Sequence, residues 1–361
     1  MLDEVGLKQA NVRLAQEARD FFVPAPSGDD NTAAAAWPPV LPGPPTALEF
    51  ARLIGRSVPV LINGALDDRL RAWHSTSHLA SRLGTATFAV ALTPDGRADD
   101  VVRLEDGRHV FALPHEEQMD FAALLRALHP TSASAPVAYL QSQNSNLTAE
   151  SSLEPLYVDL LGSTGSLPFA WAHEALGKEA EAVNVWIGTQ RSRTSMHRDH
   201  YENLFHVVRG EKTFILYPPT ERFFLCEGEP LAVHQWRPSH TDAGRGFKLK
   251  EAQGMPQTPW VMVDAFSPPS SPRNAAQARF AHALPPLRVR VRAGQTFYLP
   301  AGWYHAVAQQ EDDGGAEGPG AGLCICFNLW YESDAAFTDR WALSQFLQEL
   351  GERSAGTYCD E

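Results

Sequence analysis

The chain has 361 residues, with 30 Lys+Arg against 43 Asp+Glu and a formal net charge of −13. A hydrophobic share of 44% and an aromatic share of 10% supply a sizeable core and exclude global disorder. The acidic balance argues against nonspecific nucleic-acid binding, which needs basic patches against phosphate, and no apolar run is long enough for a membrane span. Four cysteines are too few for a disulfide scaffold, so a reducing compartment is expected, cytoplasmic or also nuclear.

In chain order, residues 1–22 interleave charges with apolar positions as an amphipathic helix does, unlike a signal peptide. Residues 24–46 are dense in Pro, Ala and Gly and read as an extended surface linker. Residues 1–46 thus form an N-terminal helix and linker. An α/β elaboration over 47–180 follows. It holds a helix at 47–54, strands at 58–62 and 88–92, a Pro-Asp-Gly turn at 94–96, a helix at 121–128, a strand from 138 and a short helix at 171–176.

From residue 183 the pattern changes to short strands at 183–187, 204–208, 213–217, 287–291, 296–299 and 323–330. Turn-punctuated strands with no long helices between them predict a mainly β fold, a double-sheet β barrel or jelly roll, with flanking α-helices. This core spans 181–332. Arg209-Gly210-Glu211-Lys212 reads as a tight hairpin. Residues 234–286 read as a long irregular insert, and 310–322 as a flexible acidic loop. Over 333–361, Phe337, Trp341, Leu343, Phe346, Leu347 and Leu350 recur at helical spacing, with Asp334 near the start. So apolar a helix must cover its face with the barrel or a second copy, and a homodimer is the expected assembly.

Chemistry concentrates in Thr194-Ser-Met-His197-Arg-Asp199-His200-Tyr-Glu-Asn203. Residues two apart on a strand share a face, so His197 and Asp199 can aim a nitrogen and a carboxylate at one point. A third ligand should come from a neighbouring strand, and the segment Gly294 to His305, with its Pro-Ala-Gly turn, offers His305. Two histidines and one carboxylate leave three positions open on a metal, which suits a non-heme Fe(II) oxygenase better than a closed zinc site. Such an oxygenase needs a clamp for a second small anion. Lys212, set in an apolar run, must either snorkel out or pair with an anion. His200, His206, Trp186, Trp303, Trp330, Tyr331 and the pair Cys324 and Cys326 read mainly as packing residues.

These motifs, with Phe327-Asn328-Leu-Trp330-Tyr331, resemble the jumonji-C branch of the cupin-fold 2-oxoglutarate-dependent oxygenases, which implies a double-stranded β-helix (cupin jelly-roll) core. Within it they are most similar to the lysyl hydroxylases of developmentally regulated GTP-binding proteins. The likeness extends over roughly 46–332 and includes Val90 to Gly96, Tyr139 to Leu147, Trp171 to Lys178 and Pro259-Trp260. It implies that His197, Asp199 and His305 hold Fe(II), and that Lys212 pairs with the distal carboxylate of 2-oxoglutarate. It implies that Thr194 and Tyr139 add hydroxyls to that carboxylate. Asn203 and Asn328 would line the side where the cosubstrate's other end or O2 sits.

The implied activity is Fe(II)- and 2-oxoglutarate-dependent lysyl hydroxylation of a protein substrate, a developmentally regulated GTP-binding protein, with succinate and CO2 as co-products. No nucleic acid and no membrane is expected as partner. The competing readings are a histone lysine demethylase, a tRNA-base hydroxylase and a cupin binding module without catalysis. The linker, insert and acidic loop depart from the family pattern, which touches substrate choice more than chemistry.

Overall fold

The computed structural model describes residues 4–22, 37–141, 145–241, 244–314, 321–333 and 335–353. Eight strands form the core: β1 Ala182–Gly188, β2 Arg193–His197, β3 Tyr201–Arg209, β4 Glu211–Tyr217, β5 Leu287–Arg292, β6 Gln295–Leu299, β7 Tyr304–Gln310 and β8 Cys324–Glu332. They divide between two sheets. One runs β6-β3-β8-β1 and is extended past β6 by Val60–Asn63 and Val40–Leu41. The other runs β5-β4-β7-β2 and is extended past β2 by Arg97–Ala98. Facing four-stranded halves with antiparallel pairing make the cupin jelly roll, as expected from the strand spacing.

Side-chain size and branching explain the split. Phe205, Val207, Phe214, Leu216, Val289, Val291, Phe297 and Leu299 alternate along β3 to β6 and fill one cluster between the sheets. Period-two alternation gives each strand one inward face. The outer face of the larger sheet is also buried, under helices. Val183, Val185, Leu204, Ile325, Phe327 and Leu329 pack there with Phe50, Phe121, Leu124 and Leu156. This explains why β3 and β8 are buried along almost their whole length and do not alternate. The helix Ala47–Arg56 starts at a capping box: the Thr46 hydroxyl accepts from the Glu49 N–H, and the Glu49 carboxylate accepts from the Thr46 N–H at 2.8 Å.

Two expectations need correction. Arg209 to Lys212 is not a hairpin, because β3 and β4 lie in different sheets. Gly210 is a corner between the sheets, with φ of 73°; a Cβ there would stand 2.4 Å from the Gln310 carbonyl oxygen. The sequence signal is the same for both, a glycine free to take positive φ, but an edge-to-edge jelly roll uses it to change sheets. The insert 234–286 is not irregular throughout. Val233–Thr241 and Gly244–Glu251 pair antiparallel, and the first of them pairs in parallel with His109–Leu113 to build a four-stranded sheet with Asp100–Arg103. Pro238 in the first strand and Gly244 and Gly246 in the second mask that strand pattern.

The C-terminal helix Ala335–Arg353 contacts the N-terminal helix Glu4–Phe22 and the short turn Pro219–Glu221. Leu347 is buried there, whereas Phe346 is 58% exposed. Part of the apolar face thus packs within the chain. The expected cap Asp334, most of the linker and the tip 315–320 of the acidic loop lie outside the described residues. At the base of that loop Asp312 forms a two-pronged ion pair with the buried Arg209, at 2.8 and 2.9 Å. Among the described residues no helix is long and apolar enough to cross a membrane.

Candidate active site

β2 and β7 are antiparallel neighbours, and His197 is paired with His305. The register shifts between Thr194 and His197, a local bulge of the kind that re-aims side chains at strand ends. Asp199 follows β2 and closes the set: one ligand atom from each of His197, Asp199 and His305 lies within 4.8 Å of the others. Asp199 Oδ1 is 3.9 Å from His197 Nε2, and its Oδ2 is 3.6 Å from His305 Nε2.

The donor chemistry fits a divalent metal. His197 Nδ1 donates to the Ser195 carbonyl at 2.9 Å, and His305 Nδ1 donates to the Trp303 carbonyl at 3.0 Å. Each ring is thereby fixed in the tautomer that leaves the Nε2 lone pair free. Burial, followed by the neighbouring His197, pushes His305 down to about 4, against the pull of Asp199. His305 is therefore neutral at physiological pH and able to ligate. Two imidazoles and one carboxylate from one side form the facial set that suits Fe(II).

Deeper in the barrel stands Lys212 on β4, 2% exposed. Its Nζ donates to the Tyr139 hydroxyl at 2.9 Å and to Gln309 Oε1 at 2.5 Å. Burial opposes its charge, but Cys326, Tyr139 and Cys324 more than offset it, so its pKa lies above the ordinary lysine value. The ammonium does not snorkel; it is presented inside the barrel. Tyr139 reaches it from Val137–Tyr139, a strand outside the jelly roll that is tied to β1 by the bridge from Leu140 to Ile187.

Tyr139, Thr194, Lys212, Asn203, Asn328 and the three ligand candidates line one cleft, together with Trp186 and Trp330. Asn328 donates to Asn203 Oδ1 at 3.2 Å and accepts from Trp186 Nε1 at 2.9 Å. All eight residues singled out in the sequence therefore meet. Trp186 and Trp330 serve both as packing and as cleft wall. His206 is structural: it is buried against Thr296 Oγ1 at 2.8 Å, and burial pushes it down to about 3. Cys324 and Cys326 are buried beneath Lys212, on β8.

Gln309 was not anticipated. It shares a face of β7 with His305 by parity, so the signal was present. It accepts from Lys212 and donates to the Ser192 hydroxyl at 2.5 Å. Gly188 was also missed. A Cβ there would come within 2.5 Å of Gln309 Nε2 and 2.7 Å of the Tyr139 ring, so a glycine lets both groups reach the lysine.

Residues 45–337 match the cupin-like domain family. The chain is 36% identical over 320 residues to the human bifunctional peptidase and (3S)-lysyl hydroxylase JMJD7, spanning 88% of this chain and 90% of that protein. It is 36% identical over 316 residues to the Arabidopsis thaliana lysine-specific demethylase JMJ32, spanning 85% and 84%. It is 30% identical over 323 residues to the JmjC domain-containing protein E of Dictyostelium discoideum, spanning 84% and 86%. The chain is a jumonji-C protein of the cupin-like family. Its membership and its His-x-Asp…His set place it among the 2-oxoglutarate oxygenases.

Proposed function

We propose that this jumonji-C protein is an Fe(II)- and 2-oxoglutarate-dependent protein hydroxylase that acts on a lysine side chain. The observation that carries the reading is the union in one cleft of His197, Asp199 and His305 with a buried, charged Lys212. A cupin that only binds metal has no need of an ammonium held inside the barrel at the cost of its hydration. A jumonji-C oxygenase does, because its cosubstrate is a dianion.

His197, Asp199 and His305 would hold the metal, and Lys212 would face the distal carboxylate of 2-oxoglutarate. Tyr139 and Thr194 would add hydrogen bonds to that carboxylate. Asn203 and Asn328, which already bond to each other, would border the other end. Bound iron, with 2-oxoglutarate and O2, supplies the oxidising power for inserting oxygen into a C–H bond, with succinate and CO2 as co-products. The aromatic walls exclude water from the reacting centre, and Tyr139 and Gln309 hold the Lys212 ammonium in place before the cosubstrate arrives. Lysine is favoured as target by the human relative's name, and the acidic chain suits a basic segment. The proposed partner is a developmentally regulated GTP-binding protein.

The test is turnover of 2-oxoglutarate by the iron-loaded protein against overlapping peptides that tile such a GTP-binding protein. Mass spectrometry then reads which residue changes. A lysine that gains one oxygen supports the reading. Loss of a methyl group from methylated lysine, or cleavage of the peptide, would replace it with a demethylase or a peptidase.

A further inference from the structure

Asp99 stands at the corner between Arg97–Ala98 and Asp100–Arg103, with φ of 53°. Aspartate tolerates the left-handed region better than most side chains, yet non-glycine residues held there are uncommon and cluster at functional sites. The corner lies beside the metal-binding strand. Arg97 and Ala98 pair in parallel with Arg193 and Thr194 of β2, and the Ser195 hydroxyl donates to the Asp99 backbone carbonyl. Trp260 Nε1 donates to the same Ser195 oxygen at 3.0 Å, while its ring lies parallel to His197 at 5.9 Å. Gln141, two residues beyond Tyr139, donates to Asp99 Oδ2 at 3.3 Å. Trp260 thus stacks on His197, Ser195 links it to Asp99, and Gln141 holds the Asp99 carboxylate.

The charge on this wall lacks a counterpart. Among the described residues no lysine or arginine forms an ion pair with Asp99. Its neighbour Arg97 turns to Asp264 at 2.9 Å and Asp100 at 3.5 Å, and Arg273 also takes Asp100 at 2.8 Å. Burial pushes the Asp99 carboxyl up to about 6, against the pull of His197. Glu116 adds negative charge on the same side: it is paired with Ala91, and Ala91 with Tyr139, so Glu116 and Tyr139 share a sheet face. An enclosed carboxylate without a cation is disfavoured, and an arriving cation relieves it. Asp99 is not one of the three residues grouped as metal ligands.

We propose that Asp99, supported by Gln141, receives the ε-ammonium of the lysine entering the cleft and sets the preference for lysine over a neutral side chain. This rests on the reading of the protein as a lysyl hydroxylase. A lysine whose backbone-proximal carbons face the metal carries its ammonium several bonds further on. The methylenes between can lie along the Trp260 ring, as long cationic side chains do on apolar surface.

Binding is measured first and separately from turnover. The full chain is loaded with manganese and 2-oxoglutarate without oxygen. The tiled lysine peptides are titrated in, each beside a version with norleucine at the lysine. The wild type should bind the best lysine peptide at least about tenfold more tightly than its norleucine form, and Asp99→Asn should erase most of that difference. Affinities for manganese and 2-oxoglutarate should stay within about twofold of wild type. Equal binding of lysine and norleucine peptides by the wild type overturns the proposal, and needs no variant to fold. So does full discrimination by Asp99→Asn, parallel loss of metal affinity, or absence of any peptide binding. Discriminating binding with no oxygen gained on turnover would leave Asp99 in its role and remove the hydroxylase reading alone.

Discussion

His197 and His305 face each other across two strands, ring centroids 4.2 Å apart and tilted by 50°, and each donates Nδ1–H to the carbonyl two residues before it on its own chain segment. Both imidazoles thus take their orienting hydrogen bond from the backbone, and the Trp260 ring stacks on His197. A metal site built this way is preorganised by the strand pairing, and its geometry depends on β2 and β7 staying in register.

The first expectation follows from that pairing. His305→Ala should leave the fold intact, since the pairing of β2 with β7 extends back to Arg193 and Ala308. Metal affinity should fall by more than about a hundredfold, because even outer partners of a metal site are worth ten- to a hundredfold. Turnover should drop to background. Metal titration by calorimetry with manganese checks the first effect. Retained affinity would mean that another residue completes the set.

The second concerns acid. His206 is buried with its pKa down at about 3, whereas in the unfolded chain it titrates near 6.5. Between those values the unfolded state binds the extra proton, so stability is lost as pH falls below about 6.5. The slope approaches about 1.4 kcal/mol per pH unit from this one group. His206→Gln keeps a partner for Thr296 and does not titrate. Its urea midpoint should therefore decline less steeply than wild type between pH 6.5 and 4.5. Parallel declines would assign the acid sensitivity to other groups.

Much of the site was legible because strand parity and motif spacing carry it. His197 and Asp199 stand two apart at the end of β2, while His305 and Lys212 fall on the strand segments β7 and β4, and a family resemblance supplied Thr194, Tyr139, Asn203 and Asn328. Two kinds of feature were not legible. Gly210 reads equally as a hairpin or as a sheet-to-sheet corner, since both need positive φ; only the pairing of β4 with β5 and β7 decides. Asp99 and Gln141 come from outside the jelly roll. Asp99 reaches the metal wall because Arg97–Ala98 adds to the edge of β2, and Gln141 because its neighbour Leu140 bridges to Ile187 of β1; both are nonlocal pairings with no periodic signature.

Lys212 separates an oxygenase from a bare metal cupin. Lys212→Ala leaves the metal ligands untouched, so manganese affinity should hold. The half-saturating 2-oxoglutarate concentration should rise about tenfold to a hundredfold, as removing one partner of a buried charge pair costs several kcal/mol. Lys212→Arg should be impaired as well. The Tyr139 and Gln309 oxygens grip Nζ at 2.9 and 2.5 Å, and a planar fork cannot occupy that slot. Cosubstrate titration at fixed metal is the check; an unchanged half-saturation in the alanine variant would place 2-oxoglutarate elsewhere.

Gly188 gives a subtler form of the same experiment, because it changes no functional group. It sits on β1 opposite Cys324 of β8. A methyl group there would meet Gln309 Nε2 at 2.5 Å and the Tyr139 ring at 2.7 Å, closer than carbon contacts allow. Gln309 can give way, but it is also held by Ser192 at 2.5 Å. Tyr139 is 5% exposed and packed 5.9 Å from the Trp186 ring, so neither group moves freely. Gly188→Ala should therefore displace the two partners of Lys212 while leaving Lys212, His197, Asp199 and His305 chemically intact. Overpacking of this kind costs about 1–3 kcal/mol of stability. The expected signature is a several-fold rise in half-saturating 2-oxoglutarate with manganese affinity unchanged. If the variant matched wild type in both, the Tyr139–Lys212–Gln309 arrangement would be loose enough to absorb a methyl group, and preorganisation of the ammonium would not be what this glycine serves.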